Sequence, residues 1–293
     1  MSDRNFVKFT FIKLDPAWRR RDSADRAQDK AEFAAACNDF AEDHFLRAYS
    51  LVGTRGDCDL MVRTIREQQP DIIGTQELYK LQGDYLVGKL KHYTWFGRGR
   101  RGDDGDEHMG VFYRTDRLKL VESGDYWLSD TPDKPGSISW GHPFPRMVTW
   151  AMFELKSSGQ RFYYANTHFP YRDQDELART RAAQEILHRL EALPAALPIV
   201  LTGDFNTAPS SPAHALLTGL LQDAWLDATS HSGPEATFHD FTGTPDRRID
   251  WILYRGLHAD AVRTITTQQD GHYPSDHFPV VAELRLPRHD RAH

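Results

Sequence analysis

Ile199-Val200-Leu201-Thr202 is an apolar strand that runs straight into Gly203-Asp204-Phe205-Asn206. Successive side chains of a strand point to opposite faces, so residues two apart share one. Asp204 and Asn206 are therefore delivered together at the strand's end. A buried strand that closes on a carboxylate and an amide places polar chemistry at the rim of a core.

The same design recurs on either side of that run. Asp71-Ile72-Ile73-Gly74-Thr75-Gln76-Glu77 is an apolar stretch ending in a carboxylate, and Tyr163-Tyr164-Ala165-Asn166-Thr167-His168 brings Asn166 and His168 to one face. Ile249-Asp250-Trp251-Ile252 sets an aspartate inside an apolar strand, and Ser275-Asp276-His277 precedes the final strand. Taken alone, a Gly-Asp-Phe-Asn is a turn, a lone aspartate a cap and a lone histidine a core residue. Recurrence at strand after strand is what a turn does not explain. Carboxylates in a chain with only two cysteines, Cys37 and Cys58, suit a hard cation such as magnesium or manganese. Histidines near carboxylates suit proton transfer and the stabilisation of charge on phosphate.

Working outward, a helix is expected over residues 59–69 and strands over 71–75, 109–114, 119–122, 147–155, 161–167, 198–202, 249–254 and 279–286. A long amphipathic helix over 173–193 puts Leu177, Ile186, Leu187 and Leu190 on one face. Towards the amino terminus, a strand over 6–13, a helix over 23–42 and a strand over 46–52 make a β-α-β unit. Alternating strands, helices and polar loops point to two sheets packed face to face with helices outside. The net charge of −6 is not that of a protein that wraps nucleic acid, although Arg98-Gly99-Arg100-Arg101 is a candidate local basic patch. Neither a signal peptide nor an apolar span is legible, so a cytoplasmic protein without membrane contact is expected.

The ordered set Gln76-Glu77, Asn166-Thr167-His168, Gly203-Asp204-Phe205-Asn206, Arg248-Ile249-Asp250 and Ser275-Asp276-His277 resembles the endonuclease/exonuclease/phosphatase superfamily. Trp127-Leu128-Ser129-Asp130-Thr131-Pro132 is similar to a segment of its bacterial members. The resemblance implies a four-layer α/β sandwich of the DNase I type over residues 59–288, and a hydrolase acting on a phosphodiester or phosphomonoester. It implies Glu77 as main metal ligand with Asp276 beside it, for Mg2+ or Mn2+. Asp204 is the implied general base, and Asn206 holds the scissile phosphate. His277, oriented by Asp250, stabilises the transition state. His168 meets the phosphate from the other side and is paired with Glu107. Arg146 and Asn166 complete the substrate-binding set. The substrate itself stays open, and nucleic acid is not indicated by the charge.

One position departs from that pattern. The superfamily opens with a strand ending in a metal-site Asn, whereas Leu46-Arg47-Ala48-Tyr49-Ser50-Leu51-Val52 ends in a valine, which neither ligates a cation nor hydrogen-bonds a water. Residues 1–58, with Phe6-Val7-Lys8-Phe9-Thr10-Phe11-Ile12-Lys13 and Leu51-Val52-Gly53-Thr54-Arg55-Gly56-Asp57, are similar instead to the amino-terminal part of chlorite dismutase-like haem proteins. That resemblance implies a fusion. The haem-binding half of that family has no counterpart here, so no haem is expected. Val52 also motivates a rival reading, a binding or scaffold protein that keeps the fold and has lost the chemistry.

Overall fold

The computed structural model describes residues 58–269 and 271–287. The expected strand–helix–strand unit over 6–52, including Val52, lies outside them. From Cys58 the order is α1 (Cys58–Gln68), β1 (Ile72–Gly74), α2 (Lys80–Lys89), β2 (Tyr93–Phe96), β3 (Val111–Arg114), β4 (Leu118–Trp127), β5 (Met147–Leu155) and β6 (Arg161–His168). It continues through α3 (Glu176–Glu191), β7 (Ile199–Asp204), α4 (Pro212–Thr218), β8 (Gln222–Asp223), α5 (Ala224–Asp227) and β9 (Ser230–Ser232), then β10 (Asp250–Arg255), β11 (His258–Thr264) and β12 (Val280–Arg285).

A six-stranded sheet runs β4-β5-β6-β7-β10-β8. Its neighbours β5, β6, β7 and β10 are held in strict alternation. Phe162 and Tyr164 of β6, with Val200 of β7, face one core, while Tyr163, Ala165, Ile199 and Leu201 face another. The second core is closed by Ala182, Ile186 and Leu190 of α3 and Ala213 and Leu217 of α4. Across the first core lie two three-stranded sheets, β1-β3-β2 and β12-β11-β9. Val62 and Ile65 of α1, Leu86 of α2 and Leu90 just beyond it cover the outer side of the former. Helices, sheet, sheets and helices thus make the expected four layers. Among the described residues no hydrogen bonds join the two smaller sheets. Among the described residues a space of about 820 Å³ separates their edges β1 and β12 and reaches Asp250 and His277.

Two local expectations change. The helix expected over 173–193 begins as a 3-10 turn at Asp173–Asp175, and Leu177 is 62% exposed. Its buried face is Ala178, Ala182, Ala183, Ile186 and Leu190, with Leu187 partly buried against them. Small alanines let α3 lie close on the sheet, which rotates Leu177 to solvent. The basic patch at 98–101 also divides, because Arg100 turns inward and is buried while Arg101 stays exposed.

Candidate active site

Register does most of the assembly. β6 and β7 are parallel with His168 opposite Asp204, and β7 and β10 are antiparallel with Asp250 opposite Asp204. His168, Asp204 and Asp250 therefore stand in a row across adjacent strand ends, on the face turned towards the smaller sheets. His277 enters from the loop before β12. Its Nδ1 donates to Asp250 Oδ2 at 2.8 Å and its Nε2 lies 3.9 Å from Asp204 Oδ2. Backbone amides of His239 and Asp240 donate to the Asp276 carbonyl at 2.9 and 3.2 Å, which fixes that loop. The Phe238 ring meets the His277 imidazole edge-on at 5.1 Å.

Charge follows from this placement. Burial alone would lower the pKa of His277, but Asp250 outweighs it, with Asp204 and Asp276 adding to the effect, and the imidazole is pushed up to about 10. It is a histidinium at neutral pH. Burial, with Asp250 opposite, raises Asp204 to about 7 even though His277 pulls it down. A carboxylate poised near neutrality is matched to taking a proton from water. Asn206 follows in the left-handed region at φ 50°, its amide donating to Asp204 Oδ1 at 2.9 Å and its Nδ2 to the Phe169 carbonyl at 3.1 Å.

Facing this row is Glu77, in a left-handed conformation at φ 55°. Such a backbone costs about 1–3 kcal/mol and persists where surrounding contacts dictate it. The contacts are visible. Gln76 Nε2 donates to Asn166 Oδ1 at 2.7 Å, Thr202 Oγ1 donates to the same oxygen at 3.1 Å, and Asn166 Nδ2 donates to the Thr75 carbonyl at 2.8 Å. Asn166 is completely buried, with its oxygen and its nitrogen both engaged in the protein. In this arrangement its side chain makes structural bonds at the site expected to contact substrate. Asn166 ties β6 to β1 and so sets the position of Glu77. Gly74 serves the same junction, since a Cβ there would lie 2.5 Å from Asn166 Oδ1, Thr202 Oγ1 and the Tyr164 hydroxyl.

Glu77, Glu107 and His168 offer ligand atoms within 4.8 Å of one another, as do Asp204, Asp250 and His277. Asp276 is outside the first group but acts on it by charge. Burial first, then Glu107, Asp276 and Asp204, raise Glu77 to about 7. So much negative charge drawn together on buried oxygens is what a hard divalent cation relieves, and the donors fit magnesium or manganese. Arg146 Nη1 and His168 Nδ1 are buried and without a hydrogen-bond partner among the described residues. Burial foremost, then Arg146 and His277, drives His168 well below its ordinary value, so it is neutral. Burial and the neighbouring Arg100 lower Arg146 to about 10, which leaves it charged at neutral pH.

Arg100 is the site residue that sequence reasoning placed elsewhere. Its Nη1 donates to Glu107 Oε2 at 2.6 Å and its Nε to Asp106 Oδ1 at 3.1 Å. Glu107 is thus held between Arg100 and His168. The only signal in the sequence was acidic residues six and seven positions on. Arg248, quoted above for its place in a motif, is also buried. It donates to both oxygens of Asp223, which also accepts from His214 Nε2 at 2.8 Å. This cluster anchors the start of β10, two residues before Asp250.

With this geometry in place, comparison with known proteins is direct. The Endonuclease/Exonuclease/phosphatase family model matches residues 58–277, and the chain belongs to that family. It superposes with TM-score 0.74 on a family protein of Bacteroides thetaiotaomicron, at 31% identity over 79% of this chain and 89% of that one. The mannosyl-6-phosphatase of Bacteroides thetaiotaomicron VPI-5482 gives TM-score 0.73 and 31% identity, covering 78% of this chain and 90% of that one. Nocturnin of Drosophila melanogaster is 24% identical over 277 residues, 78% of this chain and 41% of that protein. The chain spans about half the length of the curated relatives it matches. The fusion with a chlorite dismutase-like segment expected over residues 1–58 finds no support, and the family match begins at residue 58. No helix among the described residues is long and apolar enough to cross a membrane.

Proposed function

We propose that this chain is a divalent-metal-dependent phosphoesterase that hydrolyses a phosphodiester or phosphomonoester by attack of an activated water. The observation that carries the reading is the row His168–Asp204–Asp250, bridged by a cationic His277 and facing Glu77 and Glu107. Glu77, with Glu107 and Asp276 beside it, would hold Mg2+ or Mn2+. When bound, the ion neutralises charge that develops on the phosphoryl oxygens. The chain's own groups supply the rest. Asp204 takes the proton of the attacking water. His277 donates through Nε2 to a phosphoryl oxygen, its Nδ1–H staying hydrogen-bonded to the Asp250 carboxylate. Arg146 contributes a buried positive charge at a low-dielectric site. Asn206 keeps Asp204 oriented and presents its amide beside the phosphate.

The likeness to the Bacteroides mannosyl-6-phosphatase brings sugar phosphomonoesters in as a substrate class to test. A second reading, a binding protein with impaired catalysis, is favoured by Val52 at the expected amide position. Hydrolysis of bis-(p-nitrophenyl) phosphate and p-nitrophenyl phosphate separates the two. Rates that rise with added magnesium or manganese and vanish with chelator support the enzyme. Tight binding of phosphate without turnover supports the second reading.

A further inference from the structure

The geometry points to Tyr171, backed by Phe144, as a preformed stacking platform for the alcohol half of the substrate, selecting phosphoesters of ring-bearing alcohols. The inference rests on the phosphoesterase reading and deepens it. Tyr171 is 53% exposed and is the one aromatic among the exposed large apolar side chains of the described residues. It lies three residues beyond His168, on the loop whose Phe169 carbonyl accepts from Asn206. A solvent-facing ring forfeits the burial that normally makes an aromatic residue stabilising.

What distinguishes Tyr171 from a loose surface tyrosine is how firmly its backbone is held. Arg179, buried on α3, donates from Nη1 to the carbonyls of Pro170 at 2.9 Å and Arg172 at 2.8 Å, the residues on either side of it. Phe169 is fully buried and meets Phe205 edge-on at 4.9 Å. Arg172 donates to the Gly141 carbonyl at 2.7 Å and pairs with Asp175 at 2.6 Å. A buried guanidinium and a buried ring thus fix the loop while leaving the tyrosine side chain in water. Preorganisation of this kind reduces the entropy lost on binding.

The platform is also continuous with the catalytic cluster. The Tyr171 ring is nearly parallel to Phe144, 25° apart with centroids at 6.5 Å. Phe144 in turn takes the Arg100 guanidinium at 4.7 Å, and Arg100 is bonded to Glu107. The two rings thus adjoin, through Arg100, the carboxylate cluster at which the phosphate is proposed to bind. Flat bases stack on such faces and the axial C–H bonds of a pyranose pack on them. An acyclic alcohol gains little there.

The test is equilibrium binding and steady-state hydrolysis on the full chain and its Tyr171→Ala, Tyr171→Phe and Phe144→Ala variants. The probes are a hexose 6-phosphate, a purine nucleoside 5′-phosphate, glycerol 3-phosphate and inorganic phosphate. Tyr171→Ala is expected to raise Kd and KM about ten-fold for the ring-bearing probes, the scale of one stacking contact. It should leave kcat, and the values for glycerol phosphate and inorganic phosphate, unchanged. Tyr171→Phe should keep wild-type behaviour, and Phe144→Ala should show part of the loss. The hexose and nucleoside arms tell which ring the platform prefers. Equal losses on ring-bearing and acyclic probes, or no loss on either ring, overturns the platform. Absence of turnover with wild-type protein sinks the phosphoesterase reading instead, and the binding arm still decides this one.

Discussion

Asp204 and Asp250 are directly opposed on antiparallel strands, a placement that like charges destabilise. His277 is what makes it tolerable, and the same contact makes the histidine a cation. Asp250→Asn should therefore cost activity about 10²–10⁴-fold, the usual weight of one positioned acid–base group, while thermal stability stays close to wild type because a like-charge contact is relieved. Steady-state rates with a thermal melt of the same sample check both halves. Asp223 behaves differently. Burial would raise its pKa, but the His214 hydrogen bond and the Arg248 charge outweigh this and leave it lowered. A depressed carboxylate contributes stability that is present above its unfolded value and is lost as pH falls through its folded one. Asp223→Asn should flatten the acid side of the stability–pH curve and lower stability at neutral pH by about 3–5 kcal/mol, as expected when a buried charge loses its partner. Urea unfolding across acid and neutral pH measures this. At this scale Asp204, Asp250 and His277 were legible because each sits at or beside a strand end, where alternation fixes the face. Arg100 and the hydrogen bonds of Asn166 to β1 were not, because both depend on which strand lies across the core.

Among the elements, β1 shows how little sequence secures a site. It is three residues long, yet it carries Glu77 to the carboxylate cluster by pressing Gly74 against the polar junction of Asn166, Thr202 and Tyr164. Gly74→Ala should push β1 outward, destabilise by about 1–3 kcal/mol, and lower activity more than that loss explains. Comparing rates well below the melting temperature separates the two effects. On α3, Ile186→Ala should cost about 2–5 kcal/mol by opening a cavity, while Leu177→Lys should change stability by under about 0.5 kcal/mol. The second value is contrary to the amphipathic pattern, which assigns Leu177 inward. Long alternating strands such as β5 and β6 were readable nearly to the residue. α2 was not, since Gly83 and Gly88 are poor helix formers. Gly83 is there because a Cβ would collide with the Trp95 ring at 2.5 Å. Tertiary packing rather than local preference sets that helix.

Across the whole molecule, one row of strand ends and one facing edge make the site, and four layers hold them in register. The layered class followed from the alternation of strands and helices. The division of the facing layer into two smaller sheets, seen among the described residues, did not, because pairing between distant edges leaves no local pattern. Carboxylates converge at the site, Glu77 and Glu107 beside His168, and Asp204 and Asp250 beside His277. The most direct measurement is the rate of bis-(p-nitrophenyl) phosphate hydrolysis with magnesium or manganese by the wild-type chain, set beside Asp204→Ala and His277→Ala. The arrangement predicts metal-dependent turnover that falls at least about 100-fold in each variant. Equal rates in all three proteins would contradict it.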